Sequence, residues 1–117
     1  MRTHRELLAW QKARTLVIAV HRYSQAHWCA ALGDVLSQLR RAALSTDLNI
    51  VEGHALGAGR KCRNHFRIAL ASAAETAAAL ELLRELTTSD ARQLDDLVAL
   101  ANETRYLTFR LWQRSRG

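Results

Sequence analysis

The sequence predicts an all-α protein built as an antiparallel, up-down-up-down four-helix bundle. Three observations lead there. The 117 residues include no proline and only five glycines, so few positions interrupt a helix. Ala, Leu and Arg are abundant, and all three favour helices. Apolar residues recur at helical spacing in four long stretches separated by short polar or glycine-rich breaks. A chain of this length suits one domain, residues 1–117, with a single core.

The first helix is expected over residues 5–23, with Thr3 as N-cap and Glu6 three residues on completing an approximate capping box. Leu7, Trp10, Ala13, Leu16 or Val17, Val20 and Tyr23 form its apolar face. "SQAHWCAALGD" breaks that period and holds the first turn. A second helix over residues 32–54 stops in "GHALGAG", the clearest breaker in the chain. Asn64 is placed to cap a third helix running to residue 86. "TTSD" then leads into a fourth over residues 91–113. Helices of about 20 residues span about 30 Å, and such short connections turn each one back along its predecessor.

The formal charge of +6 comes almost wholly from arginine, fifteen against two lysines. Arginine suits phosphate and carboxylate recognition, which makes an anionic partner such as RNA or DNA a candidate. The apolar runs "LVIAV" and "ASAAETAAAL" are shorter than the roughly 20 residues that cross a bilayer, and no signal peptide opens the chain. A soluble, cytoplasmic protein without membrane contact is the expectation. Two cysteines, Cys29 and Cys62, are too few for a disulfide framework. The bundle sets them about 30 Å apart, so both are expected as free thiols.

The second helix carries the most information. At about 100° per residue, Gln38, Arg41, Ser45, Asn49 and Glu52 fall within about 40° of one line. This polar stripe divides two apolar faces. One, with Leu32, Val35, Leu36, Leu39, Ala42, Ala43, Thr46 and Ile50, is a core face. The other, with Leu44, Leu48 and Val51, is smaller and suits either a neighbouring subunit or another part of the chain. Antiparallel pairing about the 58–59 turn sets Ser45 level with Ser72, and Arg41 level with Glu75 and Thr76. Ser72 and Glu75 are therefore expected to complete the stripe across the second and third helices.

Several motifs also resemble a known family. "LAWQKARTLVIAV", "SQLRRAALSTDLNIVEG" and "FRIALASAAET" are similar, in order and spacing over residues 5–112, to the four-helix bundle proteins associated with intervening sequences in bacterial 23S ribosomal RNA genes. The most specific matches are residues 38–42, Gln-Leu-Arg-Arg-Ala, and 49–53, Asn-Ile-Val-Glu-Gly. Three departures stand out. The family's Phe-Pro and glutamate before the second helix are replaced by "HWCAALGD", its Ser-Ile-Pro by Ser45, Thr46 and Asp47, and its glycine before Ser72 by Ala71. The resemblance implies an antiparallel four-helix bundle, often a ring-like homopentamer, with no established enzymatic activity. Accessory proteins of diversity-generating retroelements resemble the same family and act with a reverse transcriptase and nucleic acid.

In an up-down bundle the chain start, the second turn and the chain end share a pole. That pole collects Arg2, Arg5, Arg60, Lys61, Arg63, Arg110, Arg114 and Arg116, with His4, His54 and His65 nearby and only Glu6 and Glu52 opposed. The other pole carries Glu81, Glu85, Asp90, Asp95 and Asp96 against Arg84 and Arg92. A basic pole of this kind suits phosphate backbones, and Trp112 beside Arg110 and Arg114 suits stacking on a single strand or closing the core. His54, Cys62 and His65 surround the glycine-rich turn, but their spacing matches no zinc pattern, and no metal or other cofactor is expected. Ser45, Asn49, Glu52 and His54 offer reactive atom types without a nucleophile–base arrangement. With no phosphate-binding glycine loop and no zinc-protease motif, no catalytic residue is assigned and an enzyme is not expected. Two functions compete: a nucleic-acid-binding accessory protein and a scaffold that binds only proteins.

Overall fold

In the computed structural model, which describes residues 3–88 and 91–116, four helices follow one another: α1 (Leu8–His27), α2 (Gly33–Ala55), α3 (Arg60–Leu86) and α4 (Ala91–Arg116). Each helix packs on its two neighbours in a closed square, α1 on α2, α2 on α3, α3 on α4 and α4 back on α1, within an envelope of 44 × 22 × 20 Å. Hydrogen bonds from Gln38 to Glu75, between Ser45 and Ser72, and between Asn49 and His65 advance along α2 as they retreat along α3. These two helices are therefore antiparallel. The Lys12–Glu103 ion pair joins α1 to α4.

Helix starts differ most from the sequence reading. Thr3 makes no side-chain cap bond; its carbonyl instead accepts from the Glu6 N–H at 3.1 Å, closing a 3-10 turn at His4–Glu6, and α1 begins only at Leu8. The helix then continues past Tyr23 to His27, because "SQAH" holds no residue that breaks it. Asn64 does not cap α3. Gly59 precedes that helix with φ +93°, a conformation open to glycine, so the first turn is already formed at Arg60. Of "TTSD", Ser89 and Asp90 lie outside the described residues.

The core has two parts. Leu16, Val20, Leu36, Leu39, Leu80, Leu83 and Leu94 fill the end distant from the chain start. Ala9, Ala13, Ile50, Cys62, Phe66, Ala69 and Leu111 fill the other, with Leu7, Trp10, Leu107 and Trp112 packed against them. Thr46, Thr76, Thr104 and Thr108 are also fully enclosed. Each donates its hydroxyl to the carbonyl four residues earlier, at 2.7–2.9 Å, which satisfies a buried polar group without needing a partner helix.

Gly53 closes the second core part. A Cβ there would stand 2.6 Å from the Phe66 ring and 3.2 Å from the Cys62 carbonyl, so only glycine lets Phe66 lie on the α2 backbone. Alanine is the better helix former by about 1 kcal/mol, yet Gly53→Ala is expected to lower the unfolding free energy by about 1–2 kcal/mol through overpacking. Urea denaturation measures it. Adding Phe66→Leu should recover part of the loss, and a stabilised single variant would contradict the close approach.

Candidate nucleic-acid interface

The glycine-rich turn, the chain start and the end of α4 come together at one pole. A cavity of about 400 Å³ is lined by His54, Gly57, Ala58, Cys62, Phe66, Leu111, Arg114 and Ser115, which joins the α2–α3 turn to the end of α4. A second cleft, of about 160 Å³, lies between Leu7, Leu8 and Ala9 on one side and Tyr106, Leu107, Arg110, Leu111 and Arg114 on the other. Arg5, Arg60, Lys61, Arg110, Arg114 and Arg116 are exposed around this pole, while Arg63 is half-buried. Arg2 lies outside the described residues. None of the described basic residues of this set pairs with a carboxylate among the described residues. Burial, followed by the nearby Arg5 and His54, holds the His4 imidazole below its ordinary pKa.

Of the two roles the sequence left open for Trp112, the structure shows it packed on the core, with Arg116 rather than Arg110 or Arg114 over its ring. Trp112 is half-buried against the core, tilted on Phe109 at 6.0 Å, and covered by the Arg116 guanidinium at 4.9 Å. Arg110 instead donates to the Tyr106 hydroxyl at 3.0 Å and sits over that ring at 5.9 Å. At the other pole Arg84 donates to Asp95 at 2.8 Å. Glu81, Glu85, Asp96 and Arg92 are exposed there, and Asp90 lies outside the described residues.

The polar stripe forms a ladder between α2 and α3. Ser45 and Ser72 hydroxyls meet at 2.8 Å. Asn49 donates to the Ser45 carbonyl at 2.9 Å and to its hydroxyl at 3.1 Å, and its own carbonyl oxygen lies 2.9 Å from His65 Nδ1. Glu52 stands 3.2 Å from the same imidazole nitrogen. Glu75 accepts from Gln38, not from Arg41. Arg41 is exposed and turns the other way, lining a cavity of about 280 Å³ with His21, Ser37, Arg40 and Leu44. The reason is angular: Arg41 lies on the outer flank of the stripe, where water solvates a guanidinium at no cost. Leu44 and Leu48 are 43% and 45% exposed and Val51 is half-buried, so the second apolar face of α2 is uncovered in the single chain.

Sequence reasoning missed the strongest polar contact. Asp47 is only 1% exposed and accepts from Trp10 Nε1 at 2.8 Å and from Arg14 Nε at 2.6 Å, with Arg14 Nη2 at 3.3 Å. The Asp47 hydrogen bond holds the Arg14 guanidinium above its usual pKa. Arg14 also covers the Trp10 ring at 5.0 Å, and His4 meets that ring edge-on at 4.8 Å. The signal was present, since a carboxylate on the core side of a helix needs a partner.

His54, Cys62 and His65 do not converge on a metal. Among the described residues no group of three or more His, Cys, Asp or Glu is placed to hold one. His65 is turned into the ladder, and burial pushes the Cys62 thiol up.

The model of the 23S rRNA-intervening sequence protein family matches residues 5–109. This chain belongs to that family. Among curated proteins no sequence matches. Asp47, the last residue of the Ser45–Asp47 departure read in the sequence, is the buried carboxylate that α1 grips.

Both cysteines are free, Cys29 exposed and Cys62 buried. A thiol reagent on the folded protein should label Cys29 rapidly and Cys62 only on the timescale of unfolding, because the reactive species is the accessible thiolate. Cys29→Ser should remove the fast phase, and two fast thiols would contradict the packing of Cys62 on Ile50 and Phe66.

Proposed function

We propose that this four-helix bundle is a non-enzymatic, oligomeric nucleic-acid-binding protein whose basic pole holds the phosphate backbone of RNA or DNA. The carrying observation is the cluster of Arg60, Lys61, Arg110, Arg114 and Arg116 at one end of the molecule, exposed and without carboxylate partners among the described residues. Phosphate-binding surfaces need this arrangement, in which basic side chains are not already neutralised. Arg5 extends the cluster from the chain start. Assembly through the uncovered Leu44, Leu48 and Val51 face would repeat the pole around a symmetry axis, and the family resemblance favours a homopentamer. The cytoplasm is the compartment where such a partner is met, and among the described residues no helix is long and apolar enough to cross a membrane.

A second reading rests on the same uncovered leucines: a protein-binding scaffold or accessory subunit without nucleic-acid contact. Electrophoretic shifts with single- and double-stranded RNA and DNA at two salt concentrations separate the two. Nucleic-acid binding should weaken steeply with salt, by about tenfold or more between 50 and 200 mM if several phosphates are contacted. Absence of a shift at low salt, with a salt-insensitive protein partner, would favour the scaffold.

A further inference from the structure

The cleft between the start of α1 and the end of α4 is distinct from the charged surface around it. Its more enclosed lining is aliphatic, Leu7, Ala9, Leu107 and Leu111, while the exposed Leu8, Tyr106, Arg110 and Arg114 stand at its edge. Tyr106 is 57% exposed and Leu8 52%, so both present apolar surface to water beside an arginine pair. Phe109, at 38%, continues that surface along α4. The Arg110 Nη1 bond to the Tyr106 hydroxyl holds the ring and the guanidinium together as one unit. The nearest acid along α4, Glu103, is already paired with Lys12 at 3.2 Å.

From this geometry we infer that the cleft is a subsite for an unpaired nucleobase of a single-stranded nucleic acid, stacked on the face of Tyr106 opposite the Arg110 guanidinium, with its flanking phosphates on Arg110 and Arg114. The inference rests on the nucleic-acid reading above and specifies its ligand. A base offers two flat apolar faces and an adjoining negative charge, which are the two features this cleft and its rim complement. In a duplex those faces are buried against neighbouring bases, so only a strand with unstacked bases reaches the leucine lining. Two copies paired isologously through this face would bring the same arginines together, and a heterologous contact with a neighbour's Leu44, Leu48 and Val51 face is the outcome that the light scattering below separates.

Fluorescence anisotropy with a short unstructured RNA or DNA strand and with its duplex tests the subsite on the full chain. Tyr106→Ala should weaken single-strand binding about five- to a hundredfold, the range for losing one stacked base, and leave duplex binding unchanged. Tyr106→Phe, which keeps the ring, should stay near the unaltered protein. Arg110→Ala and Arg114→Ala should weaken both ligands and flatten the salt dependence. If the unaltered protein binds both ligands and Tyr106→Ala changes neither, or weakens both equally, the subsite is overturned while the basic-pole reading stands. If Tyr106→Ala instead lowers the oligomeric mass in light scattering without affecting single-strand binding, the cleft is a subunit contact and the proposal is overturned. If the unaltered protein binds nothing at low salt, both readings fall together. Circular dichroism confirms that the exposed substitutions leave the bundle folded.

Discussion

A carboxylate with 1% exposure sits on the α1-facing side of α2, and the arrangement at the basic end of the molecule depends on how it is held. Taking such a group out of water costs several kcal/mol unless charge and hydrogen bonds replace the lost hydration. Asp47 receives both, an indole N–H from Trp10 and a guanidinium from Arg14, one helical turn apart on α1. Only one register of α1 against α2 presents those two donors to it. Arg14 reaches in from the surface, with its side chain 46% exposed, so the pair combines a buried acceptor with a partly solvated donor. Trp10 in turn receives His4, and Gln11 donates to the Arg5 carbonyl at 2.9 Å. The chain start that brings Arg5 to the basic pole is thereby tied to the same contact.

On its other flank α2 is held by a polar ladder. The Ser45–Ser72 bond, the Asn49–His65 bond and the Gln38–Glu75 bond are spread over three turns of α2, and each is polar on both sides. Such contacts add little net stability individually, but sliding the helices by one residue would leave several partners unmatched. The polar residues of α2 thus select one packing among several that an aliphatic interface would tolerate. Their atom types resemble those of an active site. Their geometry is that of mutually satisfied groups facing a neighbouring helix.

Much of this was legible in the residues. Uninterrupted helical periodicity and short breaks define the bundle, and the wheel of α2 separates its stripe from its two apolar faces. Antiparallel numbering places Ser45 level with Ser72, as their hydroxyl contact shows. Two kinds of feature were not legible. Helix starts depended on backbone choices, the φ of +93° at Gly59 and the 3-10 turn at His4–Glu6, that local composition does not encode. Individual side-chain partners depended on small angular offsets: Arg41 falls just outside the ladder and turns to solvent, while Gln38, on its centre, takes Glu75. Asp47 escaped because the wheel sets it at the edge of the core face, where a reading by polarity of the stripe passes over it. His65 escaped in the same manner, since its place near the basic pole hid its role in the ladder.

The account therefore turns on whether Asp47 and Arg14 act as a pair. A double-mutant cycle in urea denaturation, with Arg14→Ala, Asp47→Ala and the two combined, measures this directly. The predicted result is a coupling energy of about 1–3 kcal/mol, with Arg14→Ala the costlier single change because it leaves the buried carboxylate without its cation. Additive losses, agreeing to within about 0.5 kcal/mol, would contradict the claim that this contact sets the register of α1 on α2.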